Sequence, residues 1–163
     1  MRILIQNRQR KYPLNERQIR RWVRNILKMQ KEEDAEISLV FVNNRTIRKY
    51  NKEFRGQDKP TDVLSFPMRD VRAMHARPIP ALELPLLGDI MISLEKTYEE
   101  APLFQHGPSE HLLFLIIHGI LHLLGYDHEQ SRAEEARMKR QEKKILEAVY
   151  RPRGRKRVPR SSP

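Results

Sequence analysis

The chain has 163 residues and no cysteine, so it can build neither a disulfide framework nor the cysteine-closed type of structural zinc site. It also lacks a long apolar run. The longest, Leu112 to Leu124, is too short to span a bilayer and is broken by histidine and glycine, and no apolar N-terminal h-region precedes it. A soluble, cytoplasmic protein without a membrane partner is therefore expected. No internal repeat or linker divides the chain, and its length suits one domain with a hydrophobic core. Acidic residues are in deficit, with 21 Asp and Glu against 32 Lys and Arg, a formal charge of +11. That imbalance points to a polyanionic partner and is not what peptide substrates would require.

Against these absences stands one dense array: His118, His122 and His128, with Gly125 between the last two, in the pattern HxxxHxxGxxH. Residues four apart lie on one helix face, so His118 and His122 can grip one ion. A glycine entering the left-handed region at 125 would end the helix and fold the chain back, bringing His128 in as third ligand. Neutral nitrogen donors favour zinc over magnesium or calcium, although nickel, copper or iron also accept such ligands. With three protein ligands and no fourth nearby, the site matches the catalytic type, in which an open position can lower the pKa of a bound water to about 7. The spacing is shared with the metzincin protease signature HExxHxxGxxH, but here Gly119 replaces the glutamate that serves as general base. Proteolysis is disfavoured while the case for metal binding survives. Asp127 is expected as a partner of a ligand histidine, and His111, two turns from His118, as a structural residue.

Two basic concentrations could meet a polyanion. Arg17, Arg21, Arg24, Lys28 and Lys31 fall within about 40° of one line on a helix whose other side carries Ile19, Trp22, Val23, Ile26 and Leu27. This stripe is a solvated outer face, a nucleic-acid surface or, least well supported, a membrane-surface helix. The second is the Pro- and Gly-containing stretch from Arg151 to Arg160, read as a disordered tail, either solubilising or binding phosphate without sequence preference.

Apolar periodicity predicts strands over 1–7, 37–42, 63–66 and 88–93. Helices are predicted over 15–31, over 46–55 with Ile47, Tyr50 and Phe54 on one side and Gly56 as C-cap, over a short stretch capped by Ser93, from Ser109 to Leu124, and from the capping box Ser131-x-x-Glu134 to about Tyr150. Residues 70–85, rich in proline and polar side chains, are predicted to be a loop or flap. The helix over 109–124 is apolar all round and must run through the interior. The expected fold is α+β (α/β/α-like), a single domain with a small four-stranded mixed sheet, a buried central zinc-binding helix and surrounding helices.

The blocks Phe54-Arg-Gly-Gln-Asp-Lys-Pro-Thr-Asp-Val-Leu-Ser-Phe-Pro67, Leu87-Gly-Asp-Ile90 and His118 to His128 closely resemble the YbeY family of bacterial endoribonucleases. The resemblance covers residues 1–150, a metal-dependent endoribonuclease domain, and leaves 151–163 as the basic tail. It implies a zinc-dependent, single-strand-specific endoribonuclease with one ion per chain and no organic cofactor. Such an enzyme acts in ribosomal RNA processing, notably 3′-end maturation of small-subunit RNA, and in ribosome quality control. Its partners would be single-stranded RNA, ribosomal RNA and the small ribosomal subunit. By position, the ligands fall on His118, His122 and His128 and the functionally important arginine on Arg55. Arg55 is then the expected catalytic and RNA-contacting residue, with Lys59 nearby as a further phosphate contact. In the last turn of its helix, Arg55 is equally explained by the helix dipole. The alternative is a ribosome-associated RNA-binding protein with a non-catalytic zinc site.

Overall fold

A computed structural model describes residues 1–69 and 86–150; the predicted loop over 70–85 and the tail over 151–163 lie outside these. The elements run β1 (Arg2–Asn7), α1 (Glu16–Met29), β2 (Glu36–Val42), α2 (Asn44–Arg55), β3 (Val63–Pro67), β4 (Leu86–Ser93), α3 (Leu94–Glu100), a 3₁₀ turn (Ala101–Phe104), α4 (Pro108–Leu123) and α5 (Arg132–Val149). The four strands form one mixed sheet in the order β1-β2-β4-β3. β1 and β4 both run parallel to β2, while β3 is antiparallel to β4 at the edge. This is the expected α+β architecture.

Alternation along the strands sends side chains to two cores. Ile37, Leu39 and Phe41 of β2 and Ile90 and Ile92 of β4 face the larger one, with α1, α4 and α5 packed over them. Val42, Leu64 and Met91 point the other way, onto Ile47 of α2. Helices thus cover both faces, which explains why β2 and β4 are nearly continuous apolar runs. The stripe of α1 is buried as its spacing predicts: Ile19, Trp22, Val23, Ile26 and Leu27 are each at most 4% exposed. Burial of such a side chain contributes roughly 1.5–3 kcal/mol.

Several boundaries differ from expectation. α1 stops at Met29, and Lys31 lies beyond it with φ 58°, so it does not continue the basic stripe. α2 begins at Asn44, because the Asn43 side chain accepts from the Thr46 N–H. Phe54 is 58% exposed, not core, and stacks on Tyr50 with its edge to Phe66. The N-cap of α4 is Gly107, not Ser109; Pro108 fills the first turn, where its missing N–H costs nothing. Ser93 and Ser131 cap α3 and α5 as predicted, each accepting the N–H three residues on. α4 touches the sheet through β3 and β4 and is flanked by α1, α3 and α5, so its apolar side chains find cover all round. No helix of the described residues is long and apolar enough to cross a membrane.

Candidate metal centre and cleft

The centre grows from the C-terminal end of α4. His118 and His122, one turn apart, place their Nε2 atoms 3.0 Å from each other. After the C-cap Leu124, Gly125 takes φ 91°, and the Gly125 and Tyr126 N–H groups close the helix end on the carbonyls of His122 and Leu121. The reversal carries His128 back over the helix, with ring centroids 5.0 Å from His122 and 5.5 Å from His118. One nitrogen from each ring lies within 4.8 Å of the others, and all three residues are half-buried. A tetrahedral zinc with bonds of about 2.05 Å would set its nitrogens about 3.3 Å apart, so the donor set fits an ion after small adjustments.

The electrostatics favour the same use. Burial, then the neighbouring His118 and His128, push the His122 pKa down to about 4, keeping its ring in the neutral form that an ion needs. The Nδ1 of His118 stands 2.5 Å from Oε1 of Glu142, which α5 brings in from 24 residues away. Glu142 is only 7% exposed. It stands where a carboxylate would orient a ligand histidine, the place expected of Asp127, whose Oδ1 instead accepts the Glu129 N–H and closes the turn beside His128. Sequence reasoning missed Glu142, although a signal was present: it interrupts the buried stripe Met138, Ile145 and Val149 on the inward face of α5.

The three histidines open onto a cleft of about 690 Å³ that is also lined by Phe54, Arg55 and the edge strand β3. Arg55 therefore shares the cleft with the centre, its guanidinium 3.7 Å from the Glu129 carboxylate. Lys59 is exposed in the loop after α2, where its carbonyl accepts from Asn51 Nδ2, and it does not line the cleft. His111 is fully buried and stays apart from the centre, its Nδ1 3.2 Å from that of His106.

Gly119 faces the sheet and not the ion site. A Cβ there would come within 2.9 Å of the Ile90 side chain, and its carbonyl accepts from Ser65 Oγ. The glutamate of the protease signature has no room at this position, because α4 lies too close to β4.

A mixed-sheet α+β domain with a three-histidine centre open to a cleft is the architecture of a metallohydrolase. The chain belongs to the endoribonuclease YbeY family, whose model matches residues 4–150. The endoribonuclease YbeY of Clostridium perfringens is 42% identical over an alignment covering 88% of this chain and 94% of that protein. That of Caldicellulosiruptor saccharolyticus is 40% identical, with 91% and 98% covered. The solution structure of TM1509 from Thermotoga maritima superposes with a TM-score of 0.60 at 30% identity, covering 90% of this chain and 88% of that one.

Proposed function

We propose that this protein is a zinc-dependent endoribonuclease that cleaves single-stranded RNA in ribosomal RNA processing. The observation that carries the reading is the convergence of His118, His122 and His128 in a cleft also lined by Arg55. Zinc is favoured by an all-imidazole donor set without thiolates. A zinc ion held there would supply Lewis acidity toward a phosphoryl oxygen.

The chain's own groups supply the rest. Arg55 presents a planar fork that can hold two oxygens of a phosphodiester and stabilise the charge that develops on them. The pairing with exposed Glu129 keeps the guanidinium over the loop carrying His128 and is weak enough for RNA to displace. Lys59, on the loop next to the cleft, meets a phosphate further along the strand. The net charge of +11 draws the polyanion in, with the outward stripe of α1 and the tail over 151–163 as sequence-independent contacts. The cellular setting that follows is the bacterial cytoplasm, with the small ribosomal subunit as partner, 3′-end maturation of its RNA as the task, and ribosome quality control as a related role.

The test is cleavage of a single-stranded RNA by the zinc-loaded protein beside a His118→Ala, His122→Ala variant and a chelated sample. Cleavage confined to the zinc-loaded wild type is expected, and end-group analysis then distinguishes attack by water from attack by the 2′-hydroxyl. Equal cleavage by wild type and variant would mark the activity as a contaminant. RNA binding without cleavage would leave a binding protein with a non-catalytic ion.

A further inference from the structure

Closure of position 119 by Ile90 leaves the centre without the carboxylate that an adjacent glutamate supplies in proteases with this spacing. A different carboxylate stands in the wall of the cleft. Asp62, the residue before β3, lines it together with His118, His122 and His128. It also lines an adjoining apolar cavity of about 230 Å³ beneath His118 and His128. Backbone pairing fixes its place, since the Ser93 N–H donates to the Asp62 carbonyl at 2.9 Å. The side chain is oriented as well: Oδ1 accepts from the Val63 N–H at 2.7 Å and from Thr61 Oγ1 at 3.3 Å.

A second acid is set against it. Glu100, the last residue of α3, is close enough to feel the charge of the Asp62 carboxylate. A half-buried carboxyl near a second carboxylate keeps its proton to higher pH. Burial, then the charge of Asp62, push Glu100 up to about 7; Lys96 opposes this and Glu99 adds to it. Other charged or titratable groups near Asp62 include Arg55, His122, Asp127 and Glu129 in the cleft and His111, His118, His128, Glu135, Lys139 and Glu142 around the adjoining cavity.

We propose that Asp62 is the proton-transfer residue of RNA cleavage. This rests on the endoribonuclease reading. The Asp62 carboxylate accepts the proton of the attacking O–H as the new P–O bond forms. When the bond from phosphorus to the leaving ribose oxygen breaks, that oxygen keeps the electron pair and takes the proton back from Asp62. Atoms and charge balance with either water or a 2′-hydroxyl as nucleophile. No further reactant is needed.

The experiment compares wild type, Asp62→Asn, Asp62→Ser and Glu100→Gln for the single-turnover cleavage rate of a single-stranded RNA between pH 5.5 and 8.5. RNA affinity and zinc affinity are measured on the same samples. Asn and Ser both keep an oxygen for the Val63 N–H, so two folded variants are available should one fail. The expected result is a rate lowered by about 10²-fold or more in both Asp62 variants, with zinc and RNA affinity within about threefold of wild type. Glu100→Gln, which leaves the Asp62 carboxylate in place, should retain most of the rate. Cleavage by Asp62→Asn within about threefold of wild type would overturn the assignment, as would a loss of rate matched by a loss of zinc. Failure of the zinc-loaded wild type to cleave would instead remove the ribonuclease reading, and this assignment with it.

Discussion

Glu142 Oε1 lies 2.5 Å from Nδ1 of His118, the ring nitrogen turned away from the ion site. A carboxylate in that place holds the ring proton on Nδ1 and leaves the Nε2 lone pair to an ion. The contact ties α5 to α4 across the base of the centre. Glu142→Gln should weaken zinc binding by about 10–100-fold with the fold intact. Calorimetric titration of the stripped protein with zinc checks this, and unchanged affinity would reduce Glu142 to a packing residue.

Zinc should stabilise the protein through the three histidines together. At an ion concentration of about 100 Kd the gain is about 2.7 kcal/mol. Urea unfolding with and without zinc should show that gain in wild type and lose it in His122→Ala.

Arg55 should act on turnover more than on assembly of the centre. Replacement by alanine is expected to lower the cleavage rate by about 10²–10³-fold, the range for losing a donor to developing charge. Zinc affinity should stay the same, since Arg55 pairs with Glu129 and none of the histidines. Arg55→Lys restores the charge but not the planar fork and should recover only part of the rate.

Gly119 sets the approach of α4 to the sheet. Gly119→Ala should gain about 1 kcal/mol in helix propensity yet lose about 1–3 kcal/mol through overpacking against Ile90, a net destabilisation. Gly119→Glu, which rebuilds the protease motif in sequence, should unfold more readily still and gain no peptidase activity. Urea midpoints and a casein assay read both outcomes.

Buried histidine should make the zinc-free protein acid-sensitive. Burial, and secondarily His106, push the pKa of His111 down to about 4, while Asp62 pulls weakly the other way. In the unfolded chain the ring titrates near its ordinary 6.5, so between these values the unfolded state binds more protons. The stability is thus complete above pH 6.5 and declines as pH falls toward 4, by on the order of 2–3 kcal/mol. His122 contributes in the same sense. Urea unfolding under chelation at pH 4.5, 5.5 and 6.5 should give a shallower slope for His111→Phe, and an identical slope would contradict the assignment.

What the sequence determined by itself is what short-range geometry determines. Four-residue spacing put His118 and His122 on one face, Gly125 supplied the reversal to His128, and the apolar stripe of α1 named its five buried residues, because helix periodicity and the left-handed freedom of glycine act within one or two turns. Even there, the caps moved to Asn43, whose side chain accepts the Thr46 N–H, and to Gly107, where Pro108 fills a first-turn position that needs no N–H. Tertiary structure alone decided the rest. Glu142 behind His118, Arg55 beside Glu129, Asp62 in the cleft of the three histidines and the closure of Gly119 by Ile90 each join elements far apart in the chain. Their partners are chosen by how two helical layers pack on one sheet, a choice that no local pattern of residues encodes.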